Sequence, residues 1–297
     1  MTYSIVARCP ETGDLGVAVQ SHWFAAGLVC WARSGVGAVA TQAMALLDHG
    51  PLALEELAAG RDAAGALAAR LAADEHREVR QVAVLDARGG VAAHTGGETI
   101  PEAGHVVGDG FSCQANMMWN ATVWDAMADA FARSRGDLAG RLLAALDAGE
   151  AEGGDIRGRQ AARILVVAAE ASSKPWDDVR VDLRVDDHPA PLPELRRLLD
   201  LHRAYVHLDA SERAQTEGDA TLADREAAEA LRLGGSTVEI AFWRAVGLAN
   251  LGRIEEARSL ARVAFDASPG WAELLRRCAA RGLAGVTEST VTALLPG

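Results

Sequence analysis

Residues 1–21 read M-T-Y-S-I-V-A-R-C-P-E-T-G-D-L-G-V-A-V-Q-S, and the rest of the chain is organised around them. Two short apolar runs, Ser4–Ala7 and Leu15–Val19, flank Pro10-Glu11-Thr12-Gly13-Asp14. Val and Ile favour a pleated, half-buried surface, while Pro and Gly supply the dihedrals of a reversal. The stretch therefore predicts a β-hairpin starting one residue into the chain. Chain ends fray unless tied down, so a terminal hairpin implies strands drawn into a sheet. Removal of Met1 would leave Thr2 with a hydroxyl and a free α-amine on one residue, which is one way to activate a nucleophile without a histidine. Thr2 also reads as a plain strand-edge threonine, and these residues alone favour that reading.

Outward from the hairpin, the apolar runs Leu28–Ala32 and Gly37–Thr41 are short and bounded by Gly and Ser, as strands are. The period then changes. Gly50-Pro51 opens a helix over Leu52–Ala59, and Asp62 caps another over Ala63–Ala73, with Ala64, Leu67, Ala68 and Leu71 on one face. Strands are predicted at Gln81–Leu85, Val91–Thr95, Val106–Gly108 and Phe111–Gln114. A second helix pair follows at Asn120–Arg133 and Asp137–Ala148, then final strands at Ile164–Ala169 and Val179–Val185. Antiparallel strand runs alternating with helix pairs predict an α+β fold: a four-layer αββα sandwich over residues 1–190. Pro-rich Asp186–Pro193 is read as a boundary. Residues 194–297 contain no strand candidate, and Ala223, Ala227, Ala230 and Leu231 reappear as Ala257, Ala261, Ala264 and Phe265, 34 residues later. That is the tetratricopeptide period, so a helical TPR-like segment is expected; two unrelated helical hairpins in an Ala-rich chain give the same pattern. Two units are too few to stand alone, so the segment is expected to pack on the sandwich or on a second copy, as a homodimer.

The 29 basic and 41 acidic residues leave a net charge of −12, against nucleic acid or an anionic membrane as partner. Cys9, Cys30, Cys113 and Cys278 are scattered, with no C-x-x-C pair and no His at ligand spacing, so neither a metal site nor a disulfide framework is expected. No apolar run is long enough to span a membrane or mark secretion; a soluble, cytoplasmic protein without a cofactor is the expectation.

Three stretches hold more polar residues than packing needs. Thr41-Gln42 ends a glycine-rich strand and reads also as an ordinary strand exit. In Ser112-Cys113-Gln114-Ala115-Asn116, the Gln114 or Asn116 amide could donate to a developing oxyanion; Cys113 reads as a core thiol. In Gly153–Gln160, Arg157 and Arg159 could clamp a carboxylate, or could brace Asp155 in an ion pair. His94, His105, Asp86 and Asp109 form no triad pattern.

Four blocks agree in order with one family: the string at 2–21, G-V-G-A-V-A-T-Q at 35–42, residues 112–116 and G-G-D-I-R-G-R-Q at 153–160. Together they closely resemble the domain of unknown function 1028 family of bacteria and archaea, from Thr2 to about Leu199. The resemblance implies an N-terminal nucleophile (Ntn) hydrolase fold, and in some members a C-terminal extension labelled peptidoglycan-binding. It implies a mechanism in which an N-terminal Thr attacks an amide carbonyl of a small or peptide-like substrate, and it carries over Thr2 alone. Proteasome-type relatives place a lysine near the nucleophile, whereas the only lysine here is Lys174, far along the chain. The rival expectation is a catalytically silent Ntn-like scaffold whose helical tail recruits a protein partner or a cell-wall fragment.

Overall fold

The structure, a computed structural model, describes residues 2–295. The chain divides into two compact units, Met1–Leu199 and Asp200–Gly297. In the first, β1 (Thr2–Arg8) and β2 (Leu15–Ser21) form the expected hairpin, with Tyr3 opposite Gln20 and Arg8 opposite Leu15. Further strands are β3 (Cys30–Arg33), β4 (Gly37–Ala43), β5 (Arg80–Asp86), β6 (Val91–Thr95), β7 (Gly104–Gly108), β8 (Phe111–Asn116), β9 (Ala161–Val167) and β10 (Val179–Val185). They make two antiparallel sheets, ordered β10-β9-β2-β1-β8-β7 and β3-β4-β5-β6, so the hairpin lies in the middle of the larger one.

Side-chain alternation along each strand sorts the core. Tyr3, Ile5 and Ala7 of β1 pack with Met127, Leu142 and Leu146 of α3 (Val123–Arg133) and α4 (Leu138–Ala151). Val6, Val17 and Val19 face the other way and meet Ala40, Ala83 and Leu85 of the smaller sheet. The remaining face of that sheet, Val39, Val82 and Val84, packs on Leu54, Leu57 and Leu67 of α1 (His49–Ala58) and α2 (Ala63–Ala72). Gly16 permits the close seating of α4: a Cβ there would lie 2.8 Å from Leu142 Cδ1.

Several local expectations shift. Residues Ala26–Val29 form a 3₁₀ turn after Ala25 adopts a left-handed φ of 53°, so β3 starts only at Cys30. α1 begins at His49 and takes Pro51 into its first turn, where no N–H is needed. The buried face of α2 is Ala63, Ala66 and Leu67; Ala64 and Ala68 are exposed. In an alanine-rich helix more than one face passes as apolar. α5 (Pro191–Glu217) likewise starts on a proline, and Leu192, Leu195 and Leu199 of its first turns are buried in the core around α3 and α4.

The second unit contains the rest of α5 with α6 (Ala220–Gly234), α7 (Val238–Asn250), α8 (Ile254–Ala267), α9 (Pro269–Arg281) and α10 (Glu288–Leu294). Ala223, Ala227 and Ala230 on α6 and their counterparts Ala257, Ala261 and Ala264 on α8 are all buried, as small residues at helix crossings must be. Phe242 anchors this unit, its ring edge-on to Trp243 and tilted against Trp271.

Candidate functional site

The layer between the two sheets changes character along its length. Near the Pro10–Asp14 turn it is Val and Leu; toward Thr2 the inward positions become polar at period two. They are Thr2 and Ser4 on β1, Ser112, Gln114 and Asn116 on β8, Gln42 on β4 and Gln81 on β5, all buried. Buried polar groups need partners, and these supply one another. Gln42 Nε2 donates to Gln81 Oε1 at 2.6 Å and to the Thr2 carbonyl at 3.0 Å. Asn116 Nδ2 donates to the same two acceptors, Gln81 Oε1 at 2.9 Å and the Thr2 carbonyl at 3.3 Å. Gln81 in turn donates to Thr95 Oγ1 and the Ala115 carbonyl, and Ser4 links Gln42 to Gln114 through two 2.6 Å bonds. The main chain of Thr2 is thus held from both sheets.

Thr2 itself is 7% exposed, and its Oγ1 donates to Ser21 Oγ at 3.0 Å across the hairpin. Both residues line a cavity of about 550 Å³, within the range of small-molecule sites. Gln42 and Asn116 form part of its wall with Arg80 and Arg157, but most of the wall is apolar: Trp23, Phe24, Leu28, Met44, Leu47 and Ile100. Trp23 and Phe24 are 67% and 65% exposed, unusual for aromatic side chains unless something is to cover them. Ala25, Ala43 and Met117, also on this wall, hold φ of 53°, 69° and 60°. Left-handed backbone at a non-glycine residue is costly, and such positions gather where function dictates shape.

Both arginines at the cavity are paired with an aspartate. Gly153 and Gly154, both at positive φ, turn the chain out of α4 and present Asp155. Its buried carboxylate accepts from the His22 and Arg157 amides, both at 2.9 Å, and from Arg157 Nη2 at 3.0 Å. Arg80 donates Nε to Asp74 Oδ2 at 2.9 Å and Nη1 to the Met44 carbonyl. His49, 1% exposed, lies 3.0 Å from the same Asp74 oxygen. The hydrogen bond from Arg80 holds the Asp74 carboxyl well below the usual range, and burial lowers the His49 imidazole below its own.

Among the residues singled out from sequence, Thr2, Gln42, Asn116 and Arg157 reach the cavity wall. Gln114 is tied into the buried network, Thr41 is buried on the α1 side of β4, and Arg159 pairs with Glu150. Asp155 stands behind the wall as the partner of Arg157. Cys113 is fully buried, and burial pushes its thiol far up; burial likewise pushes Cys30 up to about 12. Met1 lies outside the described residues. Sequence reading missed Gln81, Ser4, Ser21, Arg80 and the Asp74–His49 pair. Inward-facing polar residues at alternate positions of four strands were the available signal for the first two. Among the described residues, no cluster of three or more His, Cys, Asp or Glu could hold a metal, and no helix is long and apolar enough to cross a membrane.

Two facing antiparallel sheets with a largely apolar cavity lined by Thr2 at one end, followed by a helical unit, define a mixed α+β protein. The chain belongs to the family described as "Family of unknown function (DUF1028)", which matches residues 2–195. It is similar to the crystal structure of protein SPO2555 from Silicibacter pomeroyi, of the same family, with 32% identity and a TM-score of 0.60. That alignment covers 67% of this chain and 87% of the other. No curated protein matches.

Proposed function

We propose that the chain is an N-terminal-nucleophile amidohydrolase of αββα layering, in which Thr2, freed by removal of Met1, attacks a small amide or peptide-like substrate. The observation that carries this reading is the treatment of Thr2: its carbonyl is clamped by Gln42 and Asn116 while its side chain lines the cavity. Holding the main chain from both sheets fixes the place of the Thr2 hydroxyl at the cavity wall, as a nucleophile requires.

In the proposed reaction the Thr2 α-amine takes the Oγ1 proton as Oγ1 bonds to the substrate carbonyl carbon. The ammonium so formed returns the proton to the departing amine as the C–N bond breaks, leaving an ester on Thr2. Water, deprotonated by the same amine, then attacks the ester carbonyl; the bond to Oγ1 breaks, the ammonium returns the proton to Oγ1, and the acid is freed. An α-amine has an ordinary pKa of about 7.7–8.0, so a useful fraction is neutral near pH 7. Asn116 and Gln42 act here as positioning residues, since their amide hydrogens are committed to Thr2 and Gln81.

The exposed Trp23 and Phe24 favour a second reading, a silent Ntn-like binding protein, with the TPR-like helical unit recruiting a partner. An intact mass spectrum of protein from its native host separates the two. A chain beginning at Thr2 supports the hydrolase; retained Met1 moves the reading to the binding protein.

A further inference from the structure

The arginines at the cavity invite an acidic ligand, but their partners argue otherwise. We infer that the cavity selects a neutral amide carrying a bulky apolar group, and excludes acids; this deepens the Thr2 reading and rests on it only for the position of the scissile carbonyl.

Arg157 lies 3.0 Å from Asp155 and Arg80 lies 2.9 Å from Asp74, and the two aspartate side chains are 0% and 6% exposed. A guanidinium that turned fully to a ligand carboxylate would leave a buried carboxylate behind, which costs more than the new pair returns, and one that bridged both would offer a charge already neutralised by its aspartate. The remaining ionisable side chain on the wall, Glu98, is negative and repels an acid. With each arginine balanced by its aspartate, no side chain of the wall rewards a ligand anion for losing its water, and the proposed reaction runs on the neutral form of the Thr2 α-amine. What the wall offers in abundance is apolar surface from Trp23, Phe24, Leu28, Met44, Leu47 and Ile100. These side chains are between half and two-thirds exposed, so a ligand seated there removes apolar area from water on both partners. The polar floor of Thr2 and Ser21 then receives the amide end, and the apolar rim takes the body of the molecule.

The test is calorimetric titration of the full-length Thr2→Ala protein, which cannot turn over by the proposed route, with hexanamide, hexanoate and acetamide at about pH 7.5. Hexanamide is expected to bind at least about tenfold more tightly than either of the others, the gain over acetamide coming from its four extra methylenes. Trp23→Ala removes a largely exposed side chain without touching the core, and is expected to bring hexanamide down toward acetamide. Met44→Ser, also at the rim, should act in the same direction. Hexanoate binding as tightly as hexanamide, affinity independent of chain length, or no hexanamide binding overturns the inference. The Thr2 reading fails separately. If hexanamide is preferred but wild-type protein hydrolyses no amide, the nucleophile is wrong and the apolar selectivity stands. If wild-type protein cleaves acetamide as efficiently as hexanamide, the selectivity is wrong and the nucleophile stands.

Discussion

At the residue scale, one side chain organises the site without touching the cavity. Gln81 Oε1 accepts from both Gln42 and Asn116, the residues that hold the Thr2 carbonyl. Replacing Gln81 by Leu keeps approximate size but removes the acceptor these two amides share and the donor to Thr95 Oγ1 and the Ala115 carbonyl, at about 1–3 kcal/mol for each group left unsatisfied. Urea denaturation of Gln81→Leu should therefore show a clear drop in stability with an unchanged slope; a midpoint equal to wild type would mean that the network is slack. The His49–Asp74–Arg80 cluster gives a pH signature. Burial lowers His49, so its contribution is complete above the unfolded imidazole value of about 6.5 and is lost as pH falls through the folded value. Asp74 is also lowered, by Arg80, so its contribution persists above about pH 3.9 and is lost only in stronger acid. Both work in the same direction. The thermal midpoint is expected to fall as pH drops from about 7 to about 5.5, and His49→Gln should flatten that fall; an equal slope in the variant contradicts it.

At the element scale, legibility followed chemistry that alternates. The hairpin was readable because Val, Ile and Leu recur around a Pro–Gly turn, and it stands in the middle of the larger sheet. The buried face of α2 was not readable, since alanine does not distinguish core from surface. Positions where alanine is obligatory are clearer in α6 and α8, because the same residues return 34 residues apart and are buried in both helices. Ala261, 1% exposed, leaves no room for a larger side chain. Ala261→Leu is expected to cost about 1–3 kcal/mol through overpacking. Exposed Ala267 on the same helix serves as control. Equal effects at the two positions, read by helical circular dichroism during thermal melting, would contradict the packing described.

At the scale of the whole molecule, the order of strand runs and helix pairs was legible in the chain, and a mixed α+β fold with two antiparallel sheets follows from it. The site was legible only in part. Thr2, Gln42, Asn116 and Arg157 stood in polar stretches, but the cavity depends on approaches that no local pattern reveals. Gln81 meets Asn116 across the two sheets, and Arg80 meets Asp74 across a turn. The arginines show this most clearly: the sequence left Arg157 open between clamping a ligand and bracing Asp155 and did not single out Arg80, while in the fold each faces a buried carboxylate. The central claim remains the nucleophile. It is tested most directly by the hydrolysis of hexanoyl p-nitroanilide, followed by release of the chromophore, with wild-type protein whose first residue is verified as Thr2 and with Thr2→Ala and Thr2→Ser variants of matched melting temperature. The expected result is turnover by wild type, reduced but measurable turnover by Thr2→Ser, and none above background by Thr2→Ala. Turnover by Thr2→Ala at the wild-type rate, or no turnover by a wild-type chain with a free Thr2 amine, would contradict it.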